Sequence, residues 1–327
     1  MPLRVCSRFM SYAGATGLSF WRPCVFRRWI ALSLTLFGAG IAAQPAHATA
    51  VPDWCQRLAS RLPGVSTASC LSSGLLQTGT KSRKGFPILA RDIGPVASKS
   101  GQPALRILLI GGIHGDELTA AAIVFQWMQL AQTPPAQEFH WKIAPVVNPD
   151  GLLAAKPSRV NAHGVDLNRN FPTPNWQTDA PRYWAKATRS DPRRFPGTAP
   201  LSEPESRWVQ EEIERFRPQL IVSVHAPFGV LDFDGPAKPP QRFGRLIFNR
   251  VGVYPGSLGN YSGLHKNIPV ITIELPNAGT MPPDAEVLRI WQDMLTWMQR
   301  NLPAQAVPLE ASASAPRQTA HQTLVTR

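Results

Sequence analysis

Four residues of the 327-residue chain have the types and settings to perform hydrolysis at a metal ion: His114, Glu117, His225 and Glu274. His114 and Glu117 lie three residues apart in "LLIGGIHGDELTAAAIVFQWM", where an apolar run meets two glycines and a helical pattern begins. His225 closes the apolar run "QLIVSVH", and Glu274 sits near the end of "IPVITIEL". Two imidazoles and one carboxylate form a three-ligand set for zinc and leave a fourth position open to water. A metal so held acidifies water and polarises a carbonyl. A second carboxylate must then carry the proton to the leaving nitrogen, a task that suits Glu274. Each residue alone has a plainer reading: a polar strand-to-helix turn, a hydrogen-bonded structural histidine, a carboxylate near a helix. The three strand ends taken together favour the metal.

A second constellation lies in "GVDLNRNFP", residues 164–172. Arg169 can grip a carboxylate through two parallel hydrogen bonds and Asn168 can donate to the same group. Arg159, ten residues before Arg169, can face an oxyanion opposite the metal. The plainer alternative is a surface arginine paired with Asp166. Asp116 is expected to support the turn between the two ligands. Asp232 and Asp234 can either meet a substrate amine or stand as solvated loop acids.

The elements that must position these residues follow from periodicity. Trp54, Leu58 and Leu62 recur at helical spacing in a short pre-segment, residues 51–80. Strand and turn character follows over 79–95, and "LRILLIGGI" (105–113) reads as a strand buried on both faces. A helix over 117–132, a strand from 141 ending in a Pro-Asp-Gly turn, and a long loop rich in Pro, Asn and Arg come next. Ser202 and Glu205 form a capping-box pattern for a helix over 202–216. Strands over 219–225 and 268–275 flank a helix-like stretch near 240–250, and a last helix covers 284–301. Such alternation predicts one α/β domain on a largely parallel or mixed sheet, with ligands gathered at the carboxyl ends of its strands. Residues 303–327 have the composition of a disordered tail.

The first fifty residues carry five arginines and no acid, then the uncharged run "WIALSLTLFGAGIAA" (29–43) and the small-residue stretch "AHATA". This pattern predicts a signal peptide cleaved near Ala48 or Ala50, with a periplasmic or secreted product. Fifteen residues are too few for a comfortable membrane span. Cys6 and Cys24 would leave with the leader. Cys55 and Cys70 remain, and in an exported chain they are expected to pair, stabilising the fold by about 3 kcal/mol. Two unpaired buried cysteines are the alternative. Of the formal charge of +13, +8 remains after the leader, which suits an acidic substrate. A basic solvated surface is the better explanation for most of these charges. No Lys/Arg run is interleaved with aromatics, which argues against nucleic acid.

"GGIHGDE", "NPDG", "GVDLNRNFP", "SVHAP" and "ITIELP", in that order over residues 85–300, resemble the motifs of the zinc carboxypeptidase family. The resemblance implies a mixed eight-stranded sheet with helices on both faces and one Zn2+ per chain. It also implies that His114, Glu117 and His225 ligate the zinc and that Glu274 is the general base. Asn168 and Arg169 would hold the substrate's carboxylate, and Arg159 would polarise the carbonyl. Neither Tyr254 nor Tyr261 has the spacing of the family's mobile tyrosine. The stretches "VHAPFGVLDFDGPA" and "PGSLGNYSG" resemble those of members that cut the γ-D-glutamyl–meso-diaminopimelate bond of peptidoglycan stem peptides. An acidic wall peptide is therefore the expected partner. A broader metallocarboxypeptidase and an N-acyl amino acid deacylase of the aspartoacylase type are the rival activities. A wall-peptide binder without activity would lack a ligand or the base, and all four residues are present.

Overall fold

The computed structural model describes residues 50–96 and 103–302; the expected signal peptide and the expected tail lie outside the described residues. Helix α1 (Ala50–Ala59) and the short α2 (Thr67–Leu71) lead into the hairpin of β1 (Leu76–Lys81) and β2 (Pro87–Ile93). Strand β3 (Arg106–Ile110), helix α3 (Leu118–Leu130), β4 (His140–Ala144) and a single helical turn α4 (Pro149–Leu152) follow. Then come α5 (Trp176–Ala187), α6 (Pro204–Phe216), β5 (Leu220–His225), β6 (Val230–Asp234), β7 (Arg242–Phe243), β8 (Leu246–Phe248), β9 (Val270–Glu274) and α7 (Asp284–Asn301).

The strands form one mixed sheet in the order β1-β2-β4-β3-β5-β9-β6-β8-β7. Its central four, β4, β3, β5 and β9, run parallel. Strand β2 joins β4 antiparallel on one side, and β6 joins β9 antiparallel on the other. Because the central strands are covered on both faces, their sequences are apolar throughout rather than alternating. Successive residues nevertheless serve different cores. Ile107 and Leu109 pack with Trp54, Trp127 and Trp291 beneath α1, α3 and α7. Leu108 and Ile110 pack with Trp208, Val209 and Ile213 of α6. Helices thus cover both faces, as expected.

Five local expectations are corrected. The sheet has nine strands rather than eight, and the stretch near 240–250 forms β7 and β8 rather than a helix. The long loop after α4 contains α5, whose internal Pro181 and sparse apolar positions hide its periodicity. Helix α6 starts at Pro204 with Glu203 at the cap position, because Ser202 Oγ donates to the Glu203 carboxylate instead of capping the helix. The pre-segment is built into the main core: Trp54, Leu58 and Leu62 are buried there. The boundary expected at residue 81 falls on the last residue of β1. Cys55 and Cys70 are bonded, with Cα atoms 5.5 Å apart, and tie α1 to α2.

Candidate metal centre and its cavity

The carboxyl ends of β3, β5 and β9 lie side by side, and the site is built where they stop. After β3 the chain must turn sharply while packed against α3. A Cβ on Gly111 would approach Ala120 O to 2.5 Å, and Gly112 has φ +56°, so both positions need glycine. This turn delivers His114, and Glu117 then occupies the cap position of α3. His225 is the last residue of β5, and it is in register with Glu274, the last residue of β9.

His114 Nδ1 lies 2.8 Å from Glu117 Oε1, and His225 Nδ1 lies 3.1 Å from Glu117 Oε2. The two Nδ1 atoms are 3.2 Å apart, and one ligand atom from each of the three residues lies within 4.8 Å of the others. The second ring nitrogen of each imidazole is held from outside: His114 Nε2 is 3.1 Å from Asp166 Oδ1, and His225 Nε2 is 3.0 Å from Ser223 Oγ. Imidazoles that converge through one nitrogen and are oriented through the other are arranged as metal ligands are. Beside them, Glu274 Oε2 is buried without a hydrogen-bond partner. This donor set of two nitrogens and a carboxylate fits zinc with one position left open.

Charges around the centre compensate one another. Asp166, fully buried, accepts hydrogen bonds from Arg159 Nε at 2.9 Å and from the Asn168 backbone amide at 3.0 Å. Burial alone would raise its carboxyl, but Arg159 and His114 hold it well below the usual range. Glu117 follows the same logic: burial is outweighed by His114 and His225, and the group stays ionised far into acid. Burial and Arg159 act to lower the His114 imidazole, yet Glu117 and Asp166 leave it raised. Glu274 is pushed the other way, up from the ordinary carboxylate range, chiefly by burial and opposed by His225.

All seven predicted residues, His114, Glu117, Arg159, Asn168, Arg169, His225 and Glu274, line one cavity of about 610 Å³. Arg169 is buried, its guanidinium 4.4 Å from the centre of the Tyr254 ring and its Nε without a partner. Asn168 Oδ1 accepts from the Leu258 amide at 2.8 Å, which pins the pair against the far wall. Asp166 does pair with Arg159, but that arginine is largely buried rather than on the surface, and the same acid also holds His114. Sequence reasoning also left out Tyr254, which lines the cavity, whereas Tyr261 is stacked on Phe171 and bonded to Glu214. Asp116 makes a salt bridge with Arg193 at 2.8 Å on the cavity's lining. Asp232 and Asp234 are buried on β6, not solvated in a loop. The alternation in "VLDFD" was the signal for that strand.

The sequence model of the zinc carboxypeptidases matches residues 53–231. The chain belongs to that family. Murein peptide amidase A of Escherichia coli strain K12 is 31% identical over 197 residues, which cover 58% of this chain and 79% of that protein. The protein of the same name from Vibrio campbellii is 32% identical over 180 residues, covering 52% and 69%. Among solved structures, murein-tripeptide amidase MpaA from Escherichia coli O157 superposes with a TM-score of 0.50 at 27% identity, covering 70% of this chain and 93% of that one. The protein is accordingly a zinc metallopeptidase with a His/Glu/His site. Among the described residues no helix is long and apolar enough to cross a membrane.

Proposed function

We propose that the protein hydrolyses the amide bond between γ-D-glutamate and meso-diaminopimelate in peptidoglycan stem peptides, with one zinc ion per chain held by His114, Glu117 and His225. The observation that carries the chemistry is the convergence of two Nδ1 atoms and one carboxylate beside the unpartnered Glu274 Oε2. When bound, zinc polarises a carbonyl and acidifies water. Glu274 takes the proton from the attacking water and passes it to the leaving nitrogen. Burial disfavours its ionised form, which favours that brief protonation. Arg169, buried with a free Nε, and Asn168 hold the carboxylate next to the scissile bond. Arg159 has Nε on Asp166 and Nη1 on Glu117, which leaves Nη2 as its donor for a developing oxyanion.

The similarity to murein peptide amidases supports the murein substrate. We further propose that the chain works outside the cytoplasm. The leader pattern supports this, and so does a disulfide within the fold, since such bonds persist in oxidising compartments. The test is incubation of the purified protein with L-Ala-γ-D-Glu-meso-diaminopimelate, with released diaminopimelate read by mass spectrometry. Release abolished by both a chelator and Glu274→Gln supports the proposal. Intact tripeptide, alongside cleavage of ordinary C-terminal peptides or N-acyl amino acids, would move the substrate to one of the rival classes.

A further inference from the structure

The cavity extends away from the metal centre along paired strands. On β6 and β9 the register sets Val230 opposite Glu274, Asp232 opposite Thr272, and Asp234 opposite Val270. Opposite residues in such a ladder share a face, so Glu274, Thr272, Val230, Asp232 and Asp234 all line the same cavity. At about 3.4 Å per residue, Asp232 and Asp234 lie roughly 7 and 14 Å along the strand from the level of the general base.

The two acids differ. Asp232 Oδ1 accepts from the Phe233 amide at 2.8 Å, and the amides of Val251 and Gly252 also favour its ionised form. It anchors the loop that carries Arg250. Asp234 is 9% exposed, lines the cavity and makes no hydrogen bond or salt bridge among the described residues. Room for it is made by two glycines. A Cβ on Gly259 would overlap the Asp234 carboxylate, and one on Gly263 would come within 2.6 Å of Asp234 Cβ. A buried carboxylate without a partner costs stability unless a ligand completes it. Burial, with Asp232 nearby, pushes Asp234 up to about 6, a penalty that a bound cation would relieve. Arg250 is exposed, lines the same part of the cavity, acts electrostatically on both acids and forms no salt bridge among the described residues.

We infer that Asp234 and Arg250 together read the far end of the substrate's terminal side chain, Asp234 taking an ammonium and Arg250 a carboxylate. The ligand class is an amino acid whose side chain itself ends in an ammonium and a carboxylate. This deepens the amidase proposal by assigning the residues that would distinguish diaminopimelate from simpler terminal residues. It rests on that proposal for the carboxylate held at Arg169.

The experiment is calorimetric binding of four free amino acids to the zinc-loaded protein: meso-diaminopimelate, lysine, 2-aminopimelate and norleucine. They carry, in order, both far charges, the ammonium alone, the carboxylate alone, and neither. Diaminopimelate should bind tightest and norleucine weakest. Asp234→Asn should weaken diaminopimelate and lysine by about tenfold or more while leaving norleucine unchanged. Arg250→Gln, at an exposed position, should weaken diaminopimelate and 2-aminopimelate by about threefold and spare lysine. Because free amino acids contain no scissile bond, a failed tripeptide assay leaves this result standing and sinks only the proposed reaction. The inference is overturned if the four ligands bind wild-type protein within twofold of one another. It is likewise overturned if diaminopimelate shows no binding at millimolar concentration, or if Asp234→Asn weakens norleucine as much as lysine.

Discussion

The segment from Arg159 to Arg169 is anchored at two points by buried carboxylates, and the two anchors differ in whether every acid has a cation. At Asp166 the acids meet cations: Arg159 and His114 contact Asp166, and Arg159 and both ligand histidines contact Glu117. At Asn161 the side-chain amide bridges Glu203 Oε2 at 2.8 Å and Glu205 Oε2 at 3.2 Å, and Glu205 has no cation of its own. Burial is nearly complete in both places, yet Asp166 stays well below the ordinary carboxylate range while Glu205 is pushed up to about 7 by burial, with Asp150 adding to it. The count of cations, not the depth of burial, decides whether an acid is kept as an anion. Glu203, beside Glu205, makes the same point: paired with Arg83 at 3.1 Å, it is held below the ordinary range. The cation-rich anchor belongs to the chemistry and the one at Asn161 to the scaffold.

The largest effect should come from breaking the cation-rich anchor at its centre. Glu117→Ala removes a ligand and the acid that both imidazoles face. Activity should fall beyond the roughly hundredfold loss typical of altered outer partners, with zinc lost from the purified protein by elemental analysis. Asp166→Asn keeps every ligand but frees His114 and Arg159. Zinc affinity or turnover should drop about 10- to 100-fold, and removing one member of a buried ion pair should cost about 3–5 kcal/mol in denaturant unfolding. A variant with unchanged zinc affinity would show that Asp166 does not orient the ligand.

The anchor at Asn161 is tested by pH. An isolated glutamate ionises near 4.5, whereas folded Glu205 holds its proton to about 7. Between those values the native chain binds a proton that the unfolded chain has lost, so Glu205 makes stability fall as pH rises through that window. Glu205→Gln should remove that fall. Relative to wild type it should be stabilised at pH 8 by on the order of 2 kcal/mol and lose that advantage near pH 4.5, read as thermal unfolding across pH. The smallest effect belongs to an exposed pair on α1, Asp53 with Arg57 at 2.9 Å, where Asp53→Asn should change stability by less than about 1 kcal/mol.

How much of this could be read before folding depended on whether a residue announced itself locally. The apolar strands and the polar residues closing them located His114, Glu117, His225 and Glu274, because a buried parallel strand has a clear end and the site lies there. Helix α7 was legible to the residue from its period. Asp166 was legible as an arginine's partner but not as His114's, because that contact depends on a loop path that spacing does not encode. Asp234 was ambiguous because a five-residue strand with acids at alternate positions reads as a polar loop until β9 supplies its other side. The pre-segment looked separable because its packing partners, among them Trp127 and Trp291, lie far along the chain.

The β6–β9 ladder has a further consequence. Its cavity face is written at Val230, Asp232 and Asp234, while the alternate residues Leu231 and Phe233 are buried in the core on the other face. The ladder is therefore a ruler with replaceable marks. Its spacing is fixed by backbone hydrogen bonds, so on the proposed reading exchanging the outward residues would change which side-chain end is accepted without altering how far from the general base it is measured. Relatives that keep the inward pair and vary the outward three would form a series of enzymes sharing one length gauge and differing only in the chemistry at its tip.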